Sequence, residues 1–171
     1  MEYLISIIIL IVAYTIPMYF ANATPVLFHG TRPLDFGKHF RGKRILGEGK
    51  TLLGTFGGML GGIAAGAVLA LIYPGIFSLI PNYFPLIVAL AIGAICGDAV
   101  KSFFKRQIGL ARGQKWLLAD QLDFIVGGFL LSLFVRVPEI EVVIVLLVAT
   151  GFIHLFTNFA AFKLKLKKVP W

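Results

Sequence analysis

The chain has 171 residues and a net charge of +8, yet 58% of its residues are hydrophobic, only 14% are charged, and mean hydropathy is +0.91. That leaves too little polar surface to cover a water-soluble globule. The one cysteine, Cys96, excludes a disulfide framework or thiolate cluster, and His29, His39 and His154 lie far apart and show no metal-ligand spacing. What remains is an all-α polytopic membrane protein, a single domain over residues 1–171, each span needing about 20 apolar residues to cross about 30 Å of hydrocarbon.

Tyr3 to Phe20 is a continuous apolar run. Ala21-Asn22-Ala23 resembles a signal-peptidase site, but Glu2 precedes the run instead of a base and the run exceeds a signal core, so a retained first helix is expected. Residues 24–50 form a basic loop punctuated by glycine and proline. Leu52 to Tyr73 is the second span; its Gly54, Gly58, Gly62 and Gly66 fall on one helical face and read as a packing surface. The uncharged segment Pro74 to Pro85 reads as a short loop. Leu86 to about Phe104 is the third span, followed by a second basic loop, 105–117, with Gly109, Arg112, Gly113 and Lys115. Leu117 to Val135 is the fourth span. Arg136 to Glu141 turns the chain into the fifth, Val142 to Phe162, and a tail carries Lys163, Lys165, Lys167, Lys168 and Trp171.

Five spans put both basic loops and the tail on one side, and every lysine and arginine except Arg136 falls there. The positive-inside rule then places the N-terminus outside and the C-terminus in the cytoplasm. Topology thus explains much of the basic excess, and no nucleic-acid partner is required. The lysine-rich tail and Trp171 read as an interfacial anchor on anionic headgroups.

Topology gives no reason for Asp98, Asp120 and Asp123 at helix edges, where acids are costly and usually mark function. A single such Asp could equally pair with a nearby base such as Lys101 or Arg106; three of them point to a site. Asp120 and Asp123 are three apart on one helical face, near a helix N-terminus that favours negative charge and phosphate. Asp98, Lys101 and Lys105 share a face of the preceding helix. Carboxylates able to hold Mg²⁺, beside lysine and arginine, suit phosphoryl or nucleotidyl transfer, which needs no protein nucleophile. The GEGKT stretch, Gly47 to Thr51, is not a P-loop: Arg44 stands where its first glycine belongs and no strand precedes it. Lys50 and Thr51 can still present backbone N–H groups to phosphate, and capping of the helix by Thr51 is an equal alternative. Asn22, at the same level, caps the first helix or points into the site. His154 and Asn158 read as an interhelical hydrogen-bonding pair.

The arrangement GDAVKSFFKR followed by DQLD, with NATPVLF and PLDFGKHFRGKRILGEGKT upstream, resembles the archaeal CDP-archaeol synthase family, related to the phosphatidate cytidylyltransferases, over essentially the whole chain. The resemblance implies a Mg²⁺-dependent transfer of CMP from CTP to a prenyl ether-linked glycerol phosphate, 2,3-bis-O-geranylgeranylglycerol 1-phosphate, with release of pyrophosphate, at the cytoplasmic face of the cell membrane and without an obligate protein partner. Positions matching the family pattern are Asn22, Pro25, Asp35, Lys43, Gly49, Lys50, Thr51, Asp98, Lys101, Ser102, Lys105, Arg106, Asp120, Gln121 and Asp123. Asp98, Asp120 and Asp123 are the expected metal ligands and, with Lys101, the catalytic set. Asn22, Lys43, Lys50, Thr51, Ser102, Lys105, Arg106 and Gln121 are the expected substrate-binding set. Bacterial phosphatidate cytidylyltransferases carry a Lys-Asp pair where this chain has Ala111 and Arg112, and an arginine where it has Gln121. The rival readings are a cytidylyltransferase acting on diacyl lipid and a small transporter of anionic substrates, although no internal repeat is present. The DGxxAR motif of CDP-alcohol phosphotransferases is absent.

Overall fold

The computed structural model describes residues 1–28, 30–111, 114, 116 and 119–163; the side chains at 154, 155, 157, 158 and 160–162 lie outside that description. The readings placed on His29, Arg112, Gly113, Lys115, the pair His154 and Asn158, and the tail beyond Lys163 therefore fall outside the described residues.

Among the described residues six helices follow the apolar runs: α1 (Glu2–Ala23), α2 (Leu52–Ile72), α3 (Ile76–Leu79), α4 (Tyr83–Gln107), α5 (Ala119–Ser132) and α6 (Ile140–Lys163). Among the described residues three stretches are long and apolar enough to cross a membrane: Glu2–Leu27, Leu52–Ile72 and Tyr83–Gln107. Helix α4, at 25 residues, is about 37 Å long, more than the hydrocarbon thickness of about 30 Å.

Three local features depart from the sequence reading. The uncharged stretch read as a loop holds α3, and α4 begins at Tyr83 with Pro85 in its first turn, where a proline costs no hydrogen bond. Helix α4 also runs through residues 105–107, so the second basic loop starts at Ile108. The first basic loop is not structureless. Thr24–Leu27 form a 3-10 turn, and β1 (His39–Phe40) pairs antiparallel with β2 (Lys43–Arg44), Phe40 opposite Lys43.

Leu10, Tyr14 and Met18 of α1, Leu86, Ile87 and Leu90 of α4, and Phe124 and Ile125 of α5 build the core. The glycine stripe of α2 packs as its spacing indicates: a methyl group on Gly58, Gly62 or Gly66 would strike α1 or α4. Helices α4 and α5 meet backbone to backbone at their glycines. A methyl group on Gly97 would run into the backbone carbonyl of Asp123, and one on Gly93 into that of Gly127. Glycine at 97 is therefore what lets two carboxylate-bearing helices lie backbone to backbone. At the far end of the bundle, Arg136 pairs with Glu139 and donates to the Leu79 carbonyl at 3.2 Å, tying α3 to the turn between α5 and α6.

Gly97→Ala is expected to cost about 1–3 kcal/mol of stability by overpacking this seam. Gly151→Ala, whose added methyl meets nothing within 4 Å among the described residues, should be neutral or slightly stabilising. Thermal unfolding of both variants in detergent checks the contrast.

Candidate active site

The site begins with the geometry of α4. Asp98, Lys101 and Lys105 fall on one face because the helix repeats every 3.6 residues. The close α4–α5 seam brings Asp120 and Asp123 against that face. Lys101 Nζ lies 3.1 Å from Asp98, 3.3 Å from Asp120 and 2.7 Å from Asp123. Lys105 Nζ sits 3.0 Å from both oxygens of Asp120 and also donates to the Gln114 carbonyl. The backbone N–H of Trp116 donates to Asp120 at 2.8 Å. From the first basic loop, Lys50 reaches across to pair with Asp98. Three carboxylates and three ammonium groups thus alternate in one mostly buried cluster. Such mutual compensation is what makes buried charges in an apolar bundle tolerable.

Lys50 is held in place by a loop built on Asp35. The Asp35 side chain is fully buried and accepts from the backbone N–H groups of Gly37, Leu46 and Gly47 at 3.0, 3.0 and 2.9 Å, and from Arg44 at 2.8 Å. Burial pushes its carboxyl up, but the Arg44 guanidinium and the three N–H groups outweigh burial and hold it well below the usual carboxylate range. The loop closes where the Leu34 N–H donates to the Lys50 carbonyl at 2.7 Å and Pro33 pairs with Thr51. Neither the anchoring role of Asp35 nor the contact between Lys50 and Asp98, 48 residues apart, is visible locally. The one sequence signal for Asp35 is its position two residues before Gly37, where a side-chain turn onto the backbone is common.

The remaining sequence candidates are distributed around this cluster. Thr51 is the N-cap of α2, its hydroxyl accepting from the Gly54 N–H at 3.1 Å, so capping engages that oxygen. Ser102 donates back to the Asp98 carbonyl at 2.8 Å and, with Arg44, Lys50 and Arg106, lines a polar cleft of about 430 Å³. Arg106 donates to the Leu110 carbonyl, while its buried Nε, like the buried Oε1 of Gln121, has no partner among the described residues. Lys43 lies at the edge, donating to the Gln107 carbonyl at the end of α4. Asn22 is half-buried in the last turn of α1, and it is Pro25, one turn on, that lines the small pocket with Lys50, Thr51 and Asp98. On the other side of the cluster an apolar groove of about 600 Å³ runs between α4 and α5 past Cys96, Val100, Phe104, Val126 and Leu130, with Lys101 and Asp123 in its lining.

As donors, Asp98, Asp120 and Asp123 suit a hard divalent cation. Among the described residues, however, no group of three such side chains is arranged around a vacant metal position. The Lys101 ammonium occupies the point the three carboxylates share.

Replacing Asp35 with Asn should lower stability by about 2 kcal/mol at neutral pH, because charge-assisted hydrogen bonds to a buried carboxylate are lost. The Asp35 carboxyl is depressed in the folded chain, so its contribution is present above its ordinary value of 3.8 and fades as pH falls below it. Melting curves of the two proteins should therefore stay apart from pH 7 down to about pH 4 and converge only on further acidification below that.

The CarS-like CDP-archaeol synthase family model matches residues 4–171. A CDP-archaeol synthase of Methanospirillum hungatei is 44% identical over 167 residues, spanning 91% of this chain and 99% of that protein. One from Thermococcus onnurineus is 40% identical over 159 residues, spanning 92% and 94%. A solved structure, described as an intramembrane enzyme for archaeal membrane lipids biosynthesis, superposes with a TM-score of 0.77 at 36% identity, covering 86% of this chain and 91% of its own. The chain belongs to the CDP-archaeol synthase family of membrane cytidylyltransferases.

Proposed function

We propose that this chain transfers CMP from CTP to the phosphate of 2,3-bis-O-geranylgeranylglycerol 1-phosphate, giving a CDP-activated ether lipid and pyrophosphate. The observation that carries this reading is the position of the charged cluster between a polar cleft and an apolar groove. A water-soluble nucleotide and a lipid phosphate must meet at one point, and Lys101 and Asp123 line the groove while Lys50, Ser102 and Arg106 line the cleft. The lipid phosphate oxygen attacks the α-phosphorus in line, the new P–O bond forms as the bond to the β-phosphate oxygen breaks, and pyrophosphate leaves on the cleft side. Lys50, Lys105 and Arg106 bind the phosphate oxygens, and Lys101 holds the lipid phosphate at the groove's polar end. The unpartnered Arg106 Nε and Gln121 Oε1 are available to the nucleotide. Thr51 lines the small pocket beside Lys50 and Asp98, and Asn22 and Lys43, at its margin, are assigned to substrate binding by the family pattern alone.

Asp98, Asp120 and Asp123 are the carboxylates that would hold Mg²⁺, and Lys101, Lys105 and Lys50 would turn to phosphate oxygens. When bound, the metal supplies neutralisation of the triphosphate and of the leaving pyrophosphate. The bundle is read as five spans with the N-terminus outside and the site facing the cytoplasm, because the lysines and arginines other than Arg136 then share the cytoplasmic side.

Asp123→Asn should fold normally and lose CDP-lipid formation by two or more orders of magnitude, about the cost of removing a preorganised charged group from a transfer site. Full activity in a well-folded variant contradicts the assignment. With the parent protein, an excess of diacylglycerol phosphate should leave turnover of the prenyl ether phosphate largely unchanged. Equal competition would favour a phosphatidate cytidylyltransferase, and substrate uptake into liposomes without CTP consumption would favour a transporter.

A further inference from the structure

The hairpin over residues 36–44 carries a feature that the transfer reaction does not use. Phe36 has φ of +49° and Arg41 of +51°, each followed by a glycine also at positive φ. Bulky side chains rarely occupy the left-handed region, and the second pair stands in a two-residue hairpin turn where asparagine or aspartate with glycine is the usual choice. The strain is not repaid by burial: Phe36 is 67% exposed, Arg41 is exposed, and Phe40 beside it is 46% exposed. Backbone strain kept at exposed residues points to a role outside the chain's own packing.

The surface these residues present is specific. Between Phe36 and Gly47 the chain holds Lys38, Arg41, Lys43 and Arg44 and no acid. Arg44 is committed to Asp35 and Lys43 to the Gln107 carbonyl, whereas exposed Lys38 and Arg41 make no ion pair among the described residues. The Arg41 guanidinium lies over the Phe40 ring at 5.4 Å. Phe40 contacts Phe103 at 5.8 Å between centroids, and Phe103 contacts Phe104 at 5.4 Å. Phe104, half exposed, lines the apolar groove of α4 and α5. An aromatic file thus leads from the strained hairpin to the side of a helix long and apolar enough to cross a bilayer. Exposed aromatic rings interleaved with free cations, beside such a helix, match the boundary between anionic headgroups and hydrocarbon.

We infer that the hairpin docks on the bilayer surface, with Phe36 and Phe40 in the interfacial layer and Lys38 and Arg41 on anionic lipid headgroups, so that the loop carrying Lys50 is braced by lipid as well as by Asp35. The inference goes beyond the proposed transfer and needs only that the bundle be embedded.

Nitroxides placed singly at 36, 38, 40 and 41 in a Cys96→Ser background, in vesicles of about one-third anionic lipid, test it by collision with oxygen and with a water-soluble nickel chelate. Labels at 36 and 40 should favour oxygen, and those at 38 and 41 the chelate; equal, full access of the chelate to all four overturns the inference. A second arm uses Phe36→Gly, which removes the ring and relieves the left-handed strain. Its melting temperature in detergent should not fall. Turnover by the parent protein should rise at least about threefold from zwitterionic to anionic vesicles, and that ratio should shrink toward one in Phe36→Gly and in Lys38→Gln/Arg41→Gln. An unchanged ratio in both variants, or a loss of stability in Phe36→Gly, overturns the inference. Absence of turnover in every lipid would count against the transfer reaction while the collision data still decide the hairpin.

Discussion

The structure depends on neutralising charge where an apolar bundle meets its polar end. Lys101, reaching Asp98, Asp120 and Asp123 at once, is the centre of that compensation. Any one of these groups left alone among helices would cost several kcal/mol, whereas together they form a closed set with Lys50 and Lys105. A cluster that exchanges partners without uncovering a lone charge is well suited to receive polyphosphate, because each ammonium can trade a carboxylate for a phosphate oxygen.

That compensation rests on packing with no charge in it. Gly97 and Gly93 let α4 lie against α5 so closely that the Asp98 and Lys101 face meets Asp120 and Asp123. Gly58, Gly62 and Gly66 let α2 sit against α1 and α4, which fixes where Thr51 begins α2 and so where Lys50 stands. From the other direction, Asp35 gathers three N–H groups and Arg44 to shape the loop. Glycine contacts and a buried carboxylate therefore place the same lysine from two sides.

The apolar runs marked five of the helices to within a few residues, because sustained hydrophobicity is a strong one-dimensional signal, although among the described residues only three stretches are long and apolar enough to cross a membrane. That Asp98, Asp120 and Asp123 belong together was also legible, since a positive-inside arrangement would account for lysine and arginine but not for these acids. What the chain did not reveal is long-range. The hairpin at residues 39–44 depends on Asp35 and on pairing near Thr51, and only three-dimensional closure joins Lys50 to Asp98. Helix α3 was hidden because the proline- and glycine-bearing stretch around it has the composition of a turn. The central place of Lys101 was hidden too: helical spacing put it beside Asp98, but the approach of α5 is what gives it three carboxylates.

The central claim is nucleotidyl transfer to a lipid phosphate at this cluster, and the fate of the CTP phosphates tests it most directly. Purified protein in lipid vesicles, given 2,3-bis-O-geranylgeranylglycerol 1-phosphate, Mg²⁺ and CTP labelled either at the α- or at the γ-phosphate, should carry the α-label into the lipid fraction and release the γ-label as pyrophosphate. Transfer of the γ-label to lipid, or consumption of CTP with neither label reaching lipid, would contradict it.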